Sequence, residues 1–153
     1  VENICKKIAG IVVPANYNTP GQLVISGTTD SIEKACEACK EAGAKRAIIL
    51  PVNGAFHSPL MSSAEEQLGD ALDSVNFNVP RCPIYQNVVA IAVKEPDEIR
   101  ANLKAQLTGS VKWNQTVKAM IKDGAKIFYE VGPGRALQGM VKKIAPELEA
   151  ISA

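Results

Sequence analysis

His57 is the single histidine among the 153 residues. It lies in Asn53-Gly54-Ala55-Phe56-His57-Ser58-Pro59-Leu60-Met61, directly behind the apolar run Ala47 to Val52. A neutral imidazole takes or gives a proton near neutral pH more readily than any other unperturbed side chain here. The apolar run reads as a buried strand, so His57 falls just past a strand's C-terminal end. In α/β proteins that edge of the sheet collects ligands and catalytic groups. Nucleophilic catalysis would need an activated serine or cysteine beside the histidine. No serine sits in a Gly-x-Ser-x-Gly elbow, and Ser58 is accounted for as the cap of the next helix. Two readings stay open on these residues: a base that works with groups outside the chain, or a core-rim histidine without chemistry.

The other candidate constellations have plainer explanations. Cys36-Glu37-Ala38-Cys39 lies inside a helical stretch rather than at a helix N-terminus, where a reactive thiolate would be stabilised. No second ligand pair follows at zinc spacing, so reduced core thiols are expected. Gly132-Pro133-Gly134 joins a strand to a helix. It lacks the spacing of a dinucleotide fingerprint and the Lys-Ser/Thr of a P-loop, and reads as a tight turn. Glu65-Glu66 lies on a solvated helix face, which argues against a glycosidase-type pair. No metal and no cofactor is expected.

Composition bounds the function further. The chain is 46% hydrophobic and 22% charged, as soluble globular proteins are, with a net charge of +1 from 17 basic and 16 acidic residues. No basic block occurs and aromatics make up only 5%, so no nucleic-acid surface is expected. No apolar run approaches membrane-span length, and no signal-peptide pattern is present; a cytoplasmic protein is expected.

The elements that must hold His57 follow from periodicity. Val1 to Ala9 places Ile4 and Ile8 on one helical face, with Gly10 as a stop. Ile11–Asn16 and Gln22–Gly27 read as strands joined by a Tyr17-Asn18-Thr19-Pro20-Gly21 turn. Asp30 and Glu33 offer a capping box for a helix from Ser31 to Ala42, and Lys45–Leu50 is the next strand. This order lacks one leading strand of a ferredoxin-like split β-α-β unit, which predicts that the chain is part of something longer. Ser58-Pro59 opens a helix reaching about Val75. Ile84–Val88 reads as a strand, Pro96 to about Leu107 as a helix, and Ser110 caps a helix over Val111–Lys122. Lys126–Val131 reads as a buried strand and Arg135–Ile144 as a helix. The alternation predicts an α/β class, yet with only two clear strands in the second half.

Several motifs then match one family in register. Val13-Pro14-Ala15-Asn16-Tyr17-Asn18-Thr19-Pro20-Gly21-Gln22 with Val24-Ile25-Ser26-Gly27 resembles malonyl-CoA:acyl carrier protein transacylases. So do Ala55-Phe56-His57-Ser58-Pro59-Leu60-Met61, Gln106-Leu107-Thr108 with Val111-Lys112-Trp113, and Phe128 through Gly134. The resemblance implies the C-terminal part of such an enzyme: a partial α/β-hydrolase-like acyltransferase domain over 53–153, preceded by an incomplete ferredoxin-like subdomain (α+β) over 1–52. It implies a nucleophilic serine outside this chain, with His57 as general base and then acid, and the main-chain carbonyl of Gln106 orienting the imidazole. Asn16, Asn18 and Arg46 match positions that contact the CoA or pantetheine arm. Phe56 matches the bulky residue associated with malonyl over methylmalonyl. The implied partners are malonyl-CoA as substrate, acyl carrier protein, and the remaining N-terminal part of the same enzyme. The alternatives are an acyltransferase component of a polyketide pathway, or a non-catalytic ferredoxin-like scaffold or binding module.

Overall fold

The computed structural model covers Val1–Ala153. Val12–Thr19 (β1) and Gln22–Gly27 (β2) form an antiparallel hairpin paired from Val12↔Gly27 to Thr19↔Gln22. Its turn uses Pro20 and Gly21, and Gly21 takes the positive φ of +81° that the reversal needs. The register shifts between Pro14 and Asn16 and again between Tyr17 and Thr19. Such irregularities re-aim side chains along a strand. A short helix, Glu2–Cys5 (α1), and a longer one, Thr29–Glu41 (α2), pack on the hairpin. Cys5, Val12 and Ala35 form this core, with Ile4, Ile8, Ile25 and Ile32 against it. Cys36 and Cys39 are buried on α2, and all four cysteines are free. Burial pushes the Cys5 and Cys36 thiols up, which disfavours the thiolate and fits core filler.

Several expected boundaries change. The Asp30–Glu33 capping box does not form. The helix opens earlier, at Thr29, with Asp30 already in its first turn. Thr28 instead donates to the Ser31 hydroxyl (2.8 Å), and buried Ser31 donates to the Ala9 carbonyl (3.1 Å). Lys45–Leu50 is not a strand, nor is the run to Val52 buried: Ile48, Ile49 and Val52 are 58, 59 and 60% exposed. The apolar composition is that of a strand, but no neighbouring strand of this chain pairs with it.

Pro59–Met61 is a single 3-10 turn that leads into Ser62–Asp73 (α3). The strand expected over Ile84–Val88 is only Ile84–Tyr85 (β3), paired antiparallel with Ala92–Val93 (β4). Between them Gln86 to Ala90 turns back, with the Ala90 N–H on the Gln86 carbonyl (3.0 Å) and Ala90 at φ +57°. Pro96–Ala105 (α4) follows, with Pro96 at the first turn where its missing N–H costs nothing. Arg100 ties α4 to the end of α3. It donates to the Val75 carbonyl (3.2 Å), pairs with Asp73 (3.9 Å) and lies over the Phe77 ring (5.2 Å).

Trp113–Lys122 (α5) starts later than expected, and Ser110 does not cap it. The Ser110 hydroxyl donates instead to the Pro14 carbonyl (2.5 Å). Val111 exchanges backbone hydrogen bonds with Ala15 and Tyr17 (both 2.8 Å), so the 108–112 loop lies along β1 and joins the two parts of the chain. Ile127–Glu130 (β5) and Glu149–Ser152 (β6) pair in parallel on either side of Ala136–Ile144 (α6). Val117, Val141 and Ala150 form the second core, with Trp113, Ile121, Phe128 and Ile144 around it. β5 is covered on one face only. Phe128 turns inward, whereas Ile127, Tyr129 and the following Val131 are 45, 60 and 84% exposed.

The accessible surface is 9768 Å². A compact monomer of this mass would expose about 7,500 Å². The excess carries the bare apolar segments around 48–52 and 127–131. No helix is long and apolar enough to cross a membrane.

Candidate active site

The Ala55-to-Met61 turn is fixed by one side chain. Ser58 is fully buried, donates to the Ala55 carbonyl (2.6 Å) and accepts the Leu60 N–H (3.3 Å). Inside this clasp His57 takes φ +58°, one of two non-glycine residues in the left-handed region. Such a backbone costs roughly 1–3 kcal/mol and persists only where the surroundings enforce it. The enforced turn carries the half-buried imidazole to the end of α4, where Nδ1 lies 2.7 Å from the Gln106 carbonyl. Gln106 is the C-cap of α4, and its carbonyl lies past the last intrahelical bond, free to accept. An acceptor on Nδ1 fixes the proton there and leaves the Nε2 lone pair free to accept one.

The pair is open to solvent on its outer side. Phe56, next to His57, is 54% exposed and lies across Gly54, where an added Cβ would come within 2.9 Å of the ring. One cleft of about 570 Å³ is lined by Glu2, Cys5 and Tyr17 among others, and a smaller one lies between α3 and α4; neither includes His57 or Gln106. In the larger cleft, burial and then a 2.6 Å hydrogen bond to Glu2 push the Tyr17 hydroxyl up to about 12.

Of the six residues singled out from the sequence, the structure brings His57 and Gln106 into contact and places Phe56 beside them. Asn16 and Asn18 lie on β1, Asn16 opposite Val111 of the loop that follows Gln106. Arg46 is exposed in the unpaired segment before the apolar run. Their side chains neither hydrogen-bond nor ion-pair within the chain. No three His, Cys, Asp or Glu side chains cluster as a metal site.

The Gly132-Pro133-Gly134 turn is not an open anion nest. Glu130, at the end of β5, reaches across it and accepts the Leu137 and Gln138 N–H groups (3.1 and 3.0 Å) at the start of α6. One carboxylate thus takes two of the helix's free donors and complements its dipole. Glu130→Ala is expected to lower unfolding stability by about 1–2 kcal/mol, read from the urea midpoint. An unchanged midpoint would mean water serves those donors equally well.

A family model described as acyl transferase domain matches residues 2–152. The chain belongs to that acyl transferase family. A malonyl CoA-acyl carrier protein transacylase of Haemophilus influenzae is 45% identical over 152 residues, 98% of this chain and 49% of that protein. A crystal structure of an acyl carrier protein S-malonyltransferase from Vibrio cholerae superposes with a TM-score of 0.96 at 38% identity, covering 99% of this chain and 50% of that one. A malonyl-transacylase in complex with its type II PKS acyl-carrier protein superposes with a TM-score of 0.95, also at 38% identity and covering 99% and 50%. The acyl transferase chain therefore spans about half the length of the relatives it matches. Its mixture of helices and short strands is that of the acyltransferase fold.

Proposed function

We propose that the chain carries the general base of a malonyl-CoA:acyl carrier protein transacylase acting in fatty-acid biosynthesis. The observation that carries this reading is the 2.7 Å contact between His57 Nδ1 and the Gln106 carbonyl, in a chain of this family. A serine supplied by the remaining polypeptide loses its proton to His57 Nε2 and attacks the malonyl thioester carbonyl. The C–S bond breaks, the proton passes from His57 to the departing CoA thiolate, and malonyl is left on the serine. In the second half-reaction His57 takes the proton of the carrier's phosphopantetheine thiol, and the thiolate sulfur attacks the malonyl ester carbonyl. The C–O bond to the serine breaks, and His57 returns the proton to the serine oxygen. No cofactor or metal enters this scheme, and malonyl-CoA is a substrate.

In this reading residues 1–52 belong to a ferredoxin-like subdomain lacking one strand, and 53–153 to an α/β-hydrolase-like domain. The unpaired Lys45–Leu50 segment and the bare face of β5 support it, because both are apolar and await strands from the remaining polypeptide. Asn16, Asn18 and Arg46 would meet the CoA or pantetheine arm, with the Arg46 guanidinium suited to phosphate. A cytoplasmic setting fits the four free cysteines. A polyketide role is the second reading, favoured by the solved complex with a type II PKS carrier. The test is malonyl transfer by the full-length protein to fatty-acid and polyketide carrier proteins, compared by kcat/KM. A clear preference for the polyketide carrier would reverse the two readings, and no transfer to either would remove both.

Phe56 would exclude a substituent at C2 of the acyl group. Phe56→Ser is expected to raise the methylmalonyl-to-malonyl ratio of kcat/KM about 10-fold, within the range one methyl group allows. A ratio that stays put would take Phe56 out of the acyl pocket.

A further inference from the structure

We propose that Asn87 is a positioning residue for His57, acting through the side-chain amide of Gln106; this rests on His57 being the base. Gln106 makes two separate contacts: its main-chain carbonyl meets Nδ1 of His57 (2.7 Å), and its side-chain Oε1 accepts from Asn87 Nδ2 (2.9 Å). The Asn87 carbonyl in turn accepts the Lys112 N–H (2.9 Å). One residue therefore holds both ends of the loop from Gln106 to Lys112. The neighbouring amide makes the platform rigid. Buried Gln86 donates to the Ile99 carbonyl (2.9 Å) and accepts from buried Asn102 (3.0 Å), which fixes the turn against two turns of α4. Turn and loop approach so closely that a Cβ at Gly109 would come within 2.8 Å of both Val88 Cγ1 and the Ala105 carbonyl.

The Gln106 carbonyl needs this support because it lies beyond the last α4 hydrogen bond, where the helix no longer sets its direction. If its peptide plane turns, Nδ1 loses its acceptor. The imidazole is then free to carry its proton on Nε2, the nitrogen that must accept one. The role does not depend on which way the two amides face, because turning both leaves the Asn87–Gln106 pair bonded.

The experiment uses the full-length protein with 15N-labelled histidine, the His57 signals being identified by their loss in His57→Gln. Wild type should show Nδ1 protonated and Nε2 bare. Asn87→Ala should give a mixture of tautomers and a kcat about 10-fold lower with KM for malonyl-CoA little changed, as for a small misplacement of a catalytic group. Gln106→Ala keeps the main-chain carbonyl and should do the same; it carries the test if Asn87→Ala does not fold. The double variant should be no worse than either single, since both remove one contact. Asn87→Asp should recover most of the tautomer bias, because the Gln106 amide can turn its Nε2 to the carboxylate. An unshifted tautomer in both single variants, or losses that multiply in the double, would overturn the proposal. If wild type transfers no malonyl at all, the proposed function fails while the tautomer readout still decides this inference.

Discussion

Replacing His57 by alanine is expected to slow malonyl transfer by the full-length protein at least ~100-fold, the low end for loss of a general base. The serine hydroxyl is a weak nucleophile at neutral pH and needs a base within hydrogen-bond reach. His57 is the only histidine of the chain and its ring is already oriented by the Gln106 carbonyl. The loss should fall mainly on kcat, because an imidazole that meets the reacting proton contributes little to holding CoA. Stopped-flow or coupled assays at saturating malonyl-CoA would read it. Turnover within a few-fold of wild type would return His57 to the class of structural histidines.

The next largest effect is expected at Ser58. Its hydroxyl is buried and makes both hydrogen bonds that close the turn behind His57. Ser58→Ala leaves the Ala55 carbonyl and the Leu60 N–H without that partner, at a cost of roughly 2–3 kcal/mol. It also removes what holds His57 at φ +58°, so the backbone relaxes toward an ordinary conformation and the imidazole withdraws from Gln106. Transfer should fall roughly 10-fold or more even in the fraction that stays folded, since misplacing a catalytic group by 1 Å can cost ~100-fold. Thermal unfolding and kcat measured together separate the two effects. A destabilised Ser58→Ala with normal kcat would confine Ser58 to folding. Ser58→Thr, which keeps the hydroxyl, should lie between the two.

Much of this was legible in the sequence where the cause is local. The Pro20-Gly21 turn, the cap at Ser58, the opening of α4 at Pro96 and the burial of Cys36 and Cys39 follow from residues a few positions apart. Sequence and structure part where a distant group decides the outcome. Ser110 has the chemistry of a helix cap, but its hydroxyl is taken by Pro14, 96 residues earlier. Lys45–Leu50 has the composition of a buried strand, but composition cannot supply the neighbour that a strand needs. β6 leaves no mark in the sequence because Glu149–Ser152 is short and gains its strand character only from pairing with β5.

In the site itself, His57 and Gln106 came from matching motifs rather than from spacing, being 49 positions apart. Asn87 belongs to none of the matched motifs, although Gln86-Asn87 puts two adjacent amides into an otherwise apolar run from Ile84 to Ala92. Consecutive polar side chains there can be buried only if other polar groups meet them, which was a usable signal. Glu130 carried none, because its partners are backbone groups on the far side of a glycine turn.

In the proposed enzyme this chain holds the base and the remaining polypeptide holds the nucleophile. Peptide mapping of the full-length protein after brief exposure to malonyl-CoA tests it most directly. One malonyl group should be found, on a serine outside residues 1–153, and its rate of appearance should collapse in His57→Ala. A malonyl group on any residue of this chain, or its arrival at the wild-type rate without His57, would show that base and nucleophile are not divided in this way.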